Sequence, residues 1–224
     1  MCIRDRYFDP DSGCKLTEYL EGARCCDSED PEDVKKCMKV LRKFHGSGLK
    51  AEHTFDIFER IEFYESLWKG EPSCYRDYAA TKEKVYELKK FIDSQPKNWI
   101  LCHIDSVQDN FLIQGEGEDE KISLIDWEYA GMQDEDVDIA MFAIYAMYEK
   151  DKVDELIDAY YTEGCTGEVR LKIYAYIAVC GFLWSNWCEF KRHEGVEFGE
   201  YSLRQYGYAK EYYRYVKQGL EGEQ

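Results

Sequence analysis

From His103 the chain reads His103-Ile104-Asp105-Ser106-Val107-Gln108-Asp109-Asn110, and after one short hairpin it reads Ile125-Asp126-Trp127-Glu128. The spacing His-x-Asp-x4-Asn, with a second Asp at the end of the next strand, suits phosphoryl transfer. That reaction asks little covalent work of the protein. It needs an in-line nucleophile and neutralised phosphate charge. Asp105, as a carboxylate, can orient an acceptor hydroxyl and take its proton. Asn110 and Asp126 offer hard oxygen ligands to Mg²⁺, which bridges nucleotide phosphates. His103 is better suited to bracing the loop through hydrogen bonds than to chemistry. Glu128 stands either at the metal shell or as a further brace. His-x-Asp alone recurs by chance; the weight comes from the spacing, the strand before it, the hairpin after it and the Asp-Trp-Glu at its end.

Those residues need a frame, and the pattern around them supplies one. Trp99 to Cys102 is a short apolar strand that runs into the loop. Phe111 to Ile113 and Lys121 to Trp127 are two more, joined by the polar turn Gly115-Glu116-Gly117-Glu118-Asp119. Upstream, Asp9-Pro10-Asp11-Ser12-Gly13 is turn chemistry inside a hairpin from Tyr7 to Leu20, with Lys15 to Leu20 as its second strand. Asp30-Pro31 starts a helix with the stripe Val34, Cys37, Met38, Leu41 and Phe44, ended by Gly46. A second helix carries Phe58, Ile61, Tyr64, Leu67 and Trp68 and stops at Gly70. A third carries Tyr78, Val85, Leu88 and Ile92 and stops before Pro96. After Trp127 the pattern is helical throughout, over Val137–Tyr148, Lys152–Tyr161, Glu168–Lys191 and Tyr201–Lys217. A helical body around a small set of central strands is an α+β lobe.

Composition narrows the setting. The chain has 224 residues and a net charge of −17, so nucleic acid and anionic membranes are repelled as partners and a cationic small molecule is attracted. Aromatic residues make up 16%, enough for a deep core and for a pocket that takes an organic cation. The 10 cysteines form no CxxC pair or regular spacing. Cys37 and Cys180 fall on apolar helix faces, where a reduced thiol packs as a small hydrophobe; this reads as a reducing cytoplasm. The longest apolar run, Ile173 to Trp184, is too short for membrane insertion. Residues 1–6 fit no element that follows and read as a leader foreign to the fold.

The motif His103-x-Asp105-x4-Asn110 with Leu124-Ile125-Asp126-Trp127-Glu128-Tyr129 resembles the kinases of choline, ethanolamine and aminoglycosides, which share the protein-kinase-like fold. Leu183-Trp184-Ser185-Asn186-Trp187 and Gly195-Val196-Glu197-Phe198-Gly199-Glu200-Tyr201 resemble the late helix and following loop of bacterial choline kinases. The resemblance runs from about Tyr7 to the end. It implies ATP, Mg²⁺ and transfer of the γ-phosphate to the hydroxyl of a small amino-alcohol, choline or ethanolamine.

A quaternary ammonium has no N–H donor, so ring faces and nearby carboxylates hold it. Trp184 and Trp187 sit three apart and share a helix face. By itself an aromatic stripe on an apolar helix is more often core. With the resemblance, the two tryptophans and Phe198 are expected to form a cation cage, completed by Tyr201 or Tyr206, with Tyr145 as a further wall. The resemblance also places the hinge between lobes at Leu16–Leu20, where the backbone of Glu18 and Leu20 would pair with adenine. It further implies parts not found before Tyr7: a glycine-rich loop, the strand Lys that touches the phosphates, and its helix Glu partner. Arg24 is not placed to stand in for that Lys. The expected organisation is therefore a leader over 1–6, a remnant of the nucleotide-covering lobe and hinge over 7–21, and a helical catalytic and substrate-binding lobe over 22–224. Such a chain would transfer phosphate poorly by itself. Two other readings stay open: the same fold serving another acceptor (an aminoglycoside, thiamine or a sugar), and a lobe that binds a cation without turnover.

Overall fold

The structure, a computed structural model, describes residues 5–222. Among the described residues, seven α-helices and seven short strands follow one another in groups. First come β1 (Asp5–Phe8), β2 (Lys15–Thr17) and β3 (Arg24–Cys25), then α1 (Pro31–His45), α2 (Ile57–Ser66) and α3 (Tyr78–Ser94). The centre holds β4 (Trp99–Cys102), β5 (Phe111–Gln114), β6 (Lys121–Leu124) and β7 (Gly131–Asp134). The rest is α4 (Asp136–Tyr145), α5 (Lys150–Tyr160), α6 (Gly167–His193) and α7 (Glu200–Gly222). This is the expected α+β class, with a helical majority and small antiparallel sheets. Among the described residues, no helix is long and apolar enough to cross a membrane.

Local chemistry accounts for the helix ends. Asp30 caps α1 by accepting from the Glu32 N–H, with Pro31 in the first turn and Arg42, Lys43 and His45 in the last, where they complement the helix dipole. Asp56 accepts from the N–H groups of Phe58 and Glu59 at the start of α2, and Thr166 accepts from Val169 at the start of α6. The long α6 is buried on nearly every side from Lys172 to Ser185. It packs against α2, α3, α4 and α7, so the core is built around it.

Besides the unexpected β3, which pairs with β5, the sheets differ from the sequence pattern in three places. The strand expected over Lys15–Leu20 stops at Thr17, and the one expected over Lys121–Trp127 stops at Leu124. β6 stops where its ladder with β5 ends, the pairs running from Phe111↔Leu124 to Gln114↔Lys121; over the described residues β1 pairs with β2 from Asp5↔Thr17 to Phe8↔Lys15. The third difference is β7, a strand in the stretch after Trp127 that the pattern read as helical throughout. Its residues, Gly131-Met132-Gln133-Asp134, show no alternation because all four are buried. Gln133 and Asp134 are satisfied inside, by the Phe55 carbonyl and Lys172. β7 pairs antiparallel with β4, from Trp99↔Asp134 to Cys102↔Gly131. At the start of the chain, β1 takes in Asp5 and Arg6, the last two residues of the stretch read as a leader, and Arg6 pairs with Glu18 at 2.9 Å. The other four, residues 1–4, lie outside the described residues.

Candidate active site

The loop after β4 is held from below by one carboxylate. Asp138, fully buried on the first turn of α4, accepts from the backbone N–H of His103 at 2.8 Å and of Ile104 at 2.6 Å. Its own carbonyl accepts from the Ser106 hydroxyl at 2.6 Å. His45, at the end of α1, donates from Nε2 to Asp138 at 2.8 Å, and its Nδ1 is hydrogen-bonded to the Tyr160 hydroxyl at 2.6 Å. Ile104 has φ +69, a conformation a β-branched residue avoids, and the Asp138 bond pins it there. His103 braces the other side. Its Nε2 donates to the Ile125 carbonyl at 2.8 Å, and its ring meets Trp127 edge-on at 4.5 Å. These two contacts fasten the His103 ring to the segment that follows β6. Asp138 escaped the sequence reading: it sits in an apolar helix, where only a partner elsewhere in the fold can justify a buried carboxylate.

This clamp presents Asp105 and Asn110. The Asn110 amide donates from Nδ2 to the Asp105 carbonyl at 2.8 Å and to Asp105 Oδ2 at 3.1 Å, which turns its Oδ1 away from Asp105. The Asn110 carbonyl accepts from Ile125 N–H at 3.0 Å, and this ties the loop to the segment that carries Asp126. Asp126 is exposed with φ +62, left-handed without being glycine. Glu128 joins the same acidic group. Partial desolvation raises its carboxyl, and the charges of Asp126 and Asp105 raise it further. Glu128 thus feels the charges of both Asp126 and Asp105, and carboxylate and amide oxygens are the ligands a divalent cation such as Mg²⁺ takes. A different grouping, His45, Cys102 and Asp138, brings metal-type atoms within 4.8 Å of one another. There His45 and Asp138 are already hydrogen-bonded to each other, so the grouping reads as the brace under the loop.

Above Asp105 the aromatic residues form one run. Tyr145 meets Trp184 at 5.7 Å, Trp184 meets Trp187 at 5.9 Å, Trp187 meets Phe198 at 4.8 Å and Phe198 meets Tyr201 at 6.4 Å. Trp184 is buried and donates from Nε1 to the Met141 sulfur, whereas Trp187 and Phe198 are half-buried. Burial raises the hydroxyls of Tyr145 and Tyr201, and the charge of Asp105 raises both further. Tyr129 was missed by the sequence reading. It meets Trp184 edge-on at 5.7 Å, and it too feels Asp105. Its place directly after Asp-Trp-Glu was the available signal. Tyr206 lies elsewhere: it stacks on Tyr75 at 3.7 Å, donates to Asp77 and is hydrogen-bonded to the Thr81 hydroxyl on the α3 side.

Glu18 and Leu20 lie in the extended link after β2 rather than in the strand. The Glu18 side chain is taken by Arg6, and the Leu20 carbonyl accepts from Ala23 N–H at 3.2 Å. Arg24 forks onto the buried Asp33. A cavity of about 760 Å³ lies apart from all of this, between α1 and α5, and none of the site residues above lines it.

Comparison with known proteins gives consistent matches. The family model described as choline/ethanolamine kinase matches residues 11–164. Protein LicA of Haemophilus influenzae is 29% identical over 213 residues, which are 88% of this chain and 60% of the relative; the chain thus spans three-fifths of that protein's length. Among solved structures, choline kinase LicA from Streptococcus pneumoniae superposes with a TM-score of 0.81 at 28% identity, over 96% of this chain and 75% of that one. LicA in complex with AMP superposes with a TM-score of 0.81 at 27% identity, over 96% and 74%.

Proposed function

The chain belongs to the choline/ethanolamine kinase family, and on that premise we propose that its site serves ATP-dependent transfer of the γ-phosphate to the hydroxyl of choline. Asp105 accepts the hydroxyl proton as the oxygen attacks. Asn110, through Oδ1, and Asp126 would hold Mg²⁺, which when bound neutralises phosphate charge. Trp184, Trp187, Phe198 and Tyr201 hold the quaternary ammonium by their ring faces, with Tyr145 as a wall and Glu128 as a nearby negative charge. The backbone of Glu18 and Leu20 pairs with adenine; the AMP complex of a related LicA supports a nucleotide site in this fold. We read residues 7–21 as a hairpin with the hinge, and 22–224 as the catalytic and substrate-binding lobe.

The observation that carries this reading is the aromatic run Tyr145–Trp184–Trp187–Phe198, whose first ring feels the charge of Asp105. A cation lodged in the rings puts a hydroxyl two carbons away beside a carboxylate. A polyhydroxylated acceptor would call for more carboxylates and fewer rings. The test is calorimetric titration of the protein with choline and with an aminoglycoside, beside phosphocholine formation from Mg²⁺-ATP. Choline is expected to bind and the aminoglycoside not. Asp105→Asn should lower turnover by at least ~100-fold, the usual worth of a positioned base, while choline still binds. Binding of the aminoglycoside in preference to choline, or full turnover by Asp105→Asn, would overturn the proposal.

A further inference from the structure

The cavity of about 760 Å³ between α1 and α5 has walls of opposite charge. α1 lines it with Lys35, Lys39 and Arg42, which stand at i, i+4 and i+7 and so share one helix face. α5 lines it with Glu155 and Asp158, three apart on one face. The floor between them is apolar: Val34, Leu156 and Tyr148 are buried. The walls are fastened together at both ends. Arg42 donates to the carbonyls of Ala159 at 2.5 Å and Tyr160 at 2.7 Å, and near the N-termini of the two helices the Tyr148 hydroxyl donates to the Ser28 carbonyl. The cavity is therefore formed before anything enters it.

Most of its charges are already answered. Lys35 pairs with Glu32 at 2.7 Å, Lys152 with Glu29 at 2.7 Å, and Asp158 with Arg170. Arg42 is spent on the two carbonyls. Lys39 and Glu155 differ: among the described residues neither has a hydrogen-bond or ion-pair partner, and they do not pair with each other across the floor. One unpaired cation thus stands on the α1 wall and one unpaired carboxylate on the α5 wall.

We propose that this cavity is a second ligand site, for a small dipolar molecule whose anionic end is held by Lys39 and whose cationic end is held by Glu155. A plain anion is repelled by a molecule of net charge −17, and a plain cation finds carboxylates over the whole surface. A molecule that carries both charges is told from either, because the two walls answer it at once. Phosphocholine, the product on the choline-kinase reading above, is such a molecule, and the choice of ligand rests on that reading.

The experiment is calorimetric titration with phosphocholine while choline is held at saturation, so that the ring site is already filled. Phosphocholine should still bind, and inorganic phosphate, which matches one wall only, should bind at least ~10-fold more weakly. Lys39→Glu and Glu155→Lys should each weaken phosphocholine at least ~5-fold, as one exposed ion pair becomes a repulsion. The double variant Lys39→Glu/Glu155→Lys exchanges the walls. It should bind within ~3-fold of the wild type, because the ligand can turn round, and a mere change of packing or net charge gives no such recovery. No binding to the choline-filled protein, binding unchanged in both single variants, or a double variant as weak as the single ones would each overturn the proposal. The choline reading fails separately. If choline does not bind the wild type, that reading falls, while the response of phosphocholine to the two cavity variants still decides the second site, since neither residue belongs to the aromatic run.

Discussion

A ring face attracts a desolvated quaternary ammonium by up to ~2 kcal/mol, and Trp187 is the half-buried member of the tryptophan pair. Trp187→Leu keeps apolar bulk and removes the quadrupole. Choline affinity should fall about ten-fold, since ~1.4 kcal/mol is one decade. The melting temperature should hardly move, because Trp187 is not sealed in the core as Trp184 is. Calorimetry beside thermal unfolding checks both; a steep loss of stability with unchanged affinity would make Trp187 a core residue. Asp138 should behave in the opposite way. Asp138→Asn puts an amide where two backbone N–H groups and His45 now donate. It should cost about 3 kcal/mol in urea unfolding and lower turnover with it, without touching choline directly. A variant as stable as the wild type would show that the loop does not depend on this clamp.

At the level of helices and strands, α6 and α7 form the central contact, and one glycine sets their distance. A Cβ on Gly181 would lie 2.7 Å from the Gln205 carbonyl and 2.7 Å from the Tyr208 Cβ. Neither can yield as the end of a flexible chain could, so the helices must part. Gly181→Ala should therefore destabilise the fold by ~1–3 kcal/mol, the usual cost of overpacking. Gly207, in α7, offers the contrast, because a Cβ there meets nothing within 4 Å. Gly207→Ala should stabilise by ~0.5–1 kcal/mol through helix propensity alone. Paired urea titrations read both signs. The same close packing explains β7: it has no strand pattern of its own and exists because β4 on one side and Phe55 on another supply its partners.

The molecule as a whole is acidic, and part of that charge is buried under β4 and β7. Lys172 directs its N–H bonds at the Pro96 carbonyl and Asp134, each at 2.7 Å, and its Nζ lies 3.0 Å from Asp136. Burial pushes the Asp136 carboxyl up to about 6, while Lys172 pulls it down and Asp134 pushes it up. In the unfolded chain an aspartate titrates near ~3.9. Between those values the native state holds more protons than the unfolded one, so this group's contribution to stability falls as pH rises from about 4 to 6. Asp136→Asn should remove that slope. Relative to the wild type, the variant should be more favourable at pH 7.5 than at pH 4.5, by roughly 2–3 kcal/mol at one pKa unit per 1.36 kcal/mol. Urea unfolding at several pH values reads the difference, and a constant gap across the range would contradict it.

The sequence by itself determined what depends on neighbours along the chain. Helix existence followed from the 3.6-residue stripe and from the caps at Asp30 and Asp56. The hairpin around Asp9–Gly13 followed from turn chemistry, and the loop with Asp105 and Asn110 from spacing alone. Family membership followed from the same motifs, because they are local. Tertiary structure alone decided what depends on residues brought from afar. It separated Tyr201 from Tyr206, which one helix carries only five positions apart: Phe198 and the field of Asp105 lie beside the first, Tyr75 and Asp77 beside the second. It ended β6 where its ladder partner ends, and it made a strand of Gly131–Asp134. Asp138 is the sharpest case. No pattern of neighbours marks a carboxylate in an apolar helix as the support of a loop thirty-odd residues upstream. Its burial is affordable only because two backbone N–H groups and a histidine meet it there, and those partners exist only in the folded chain.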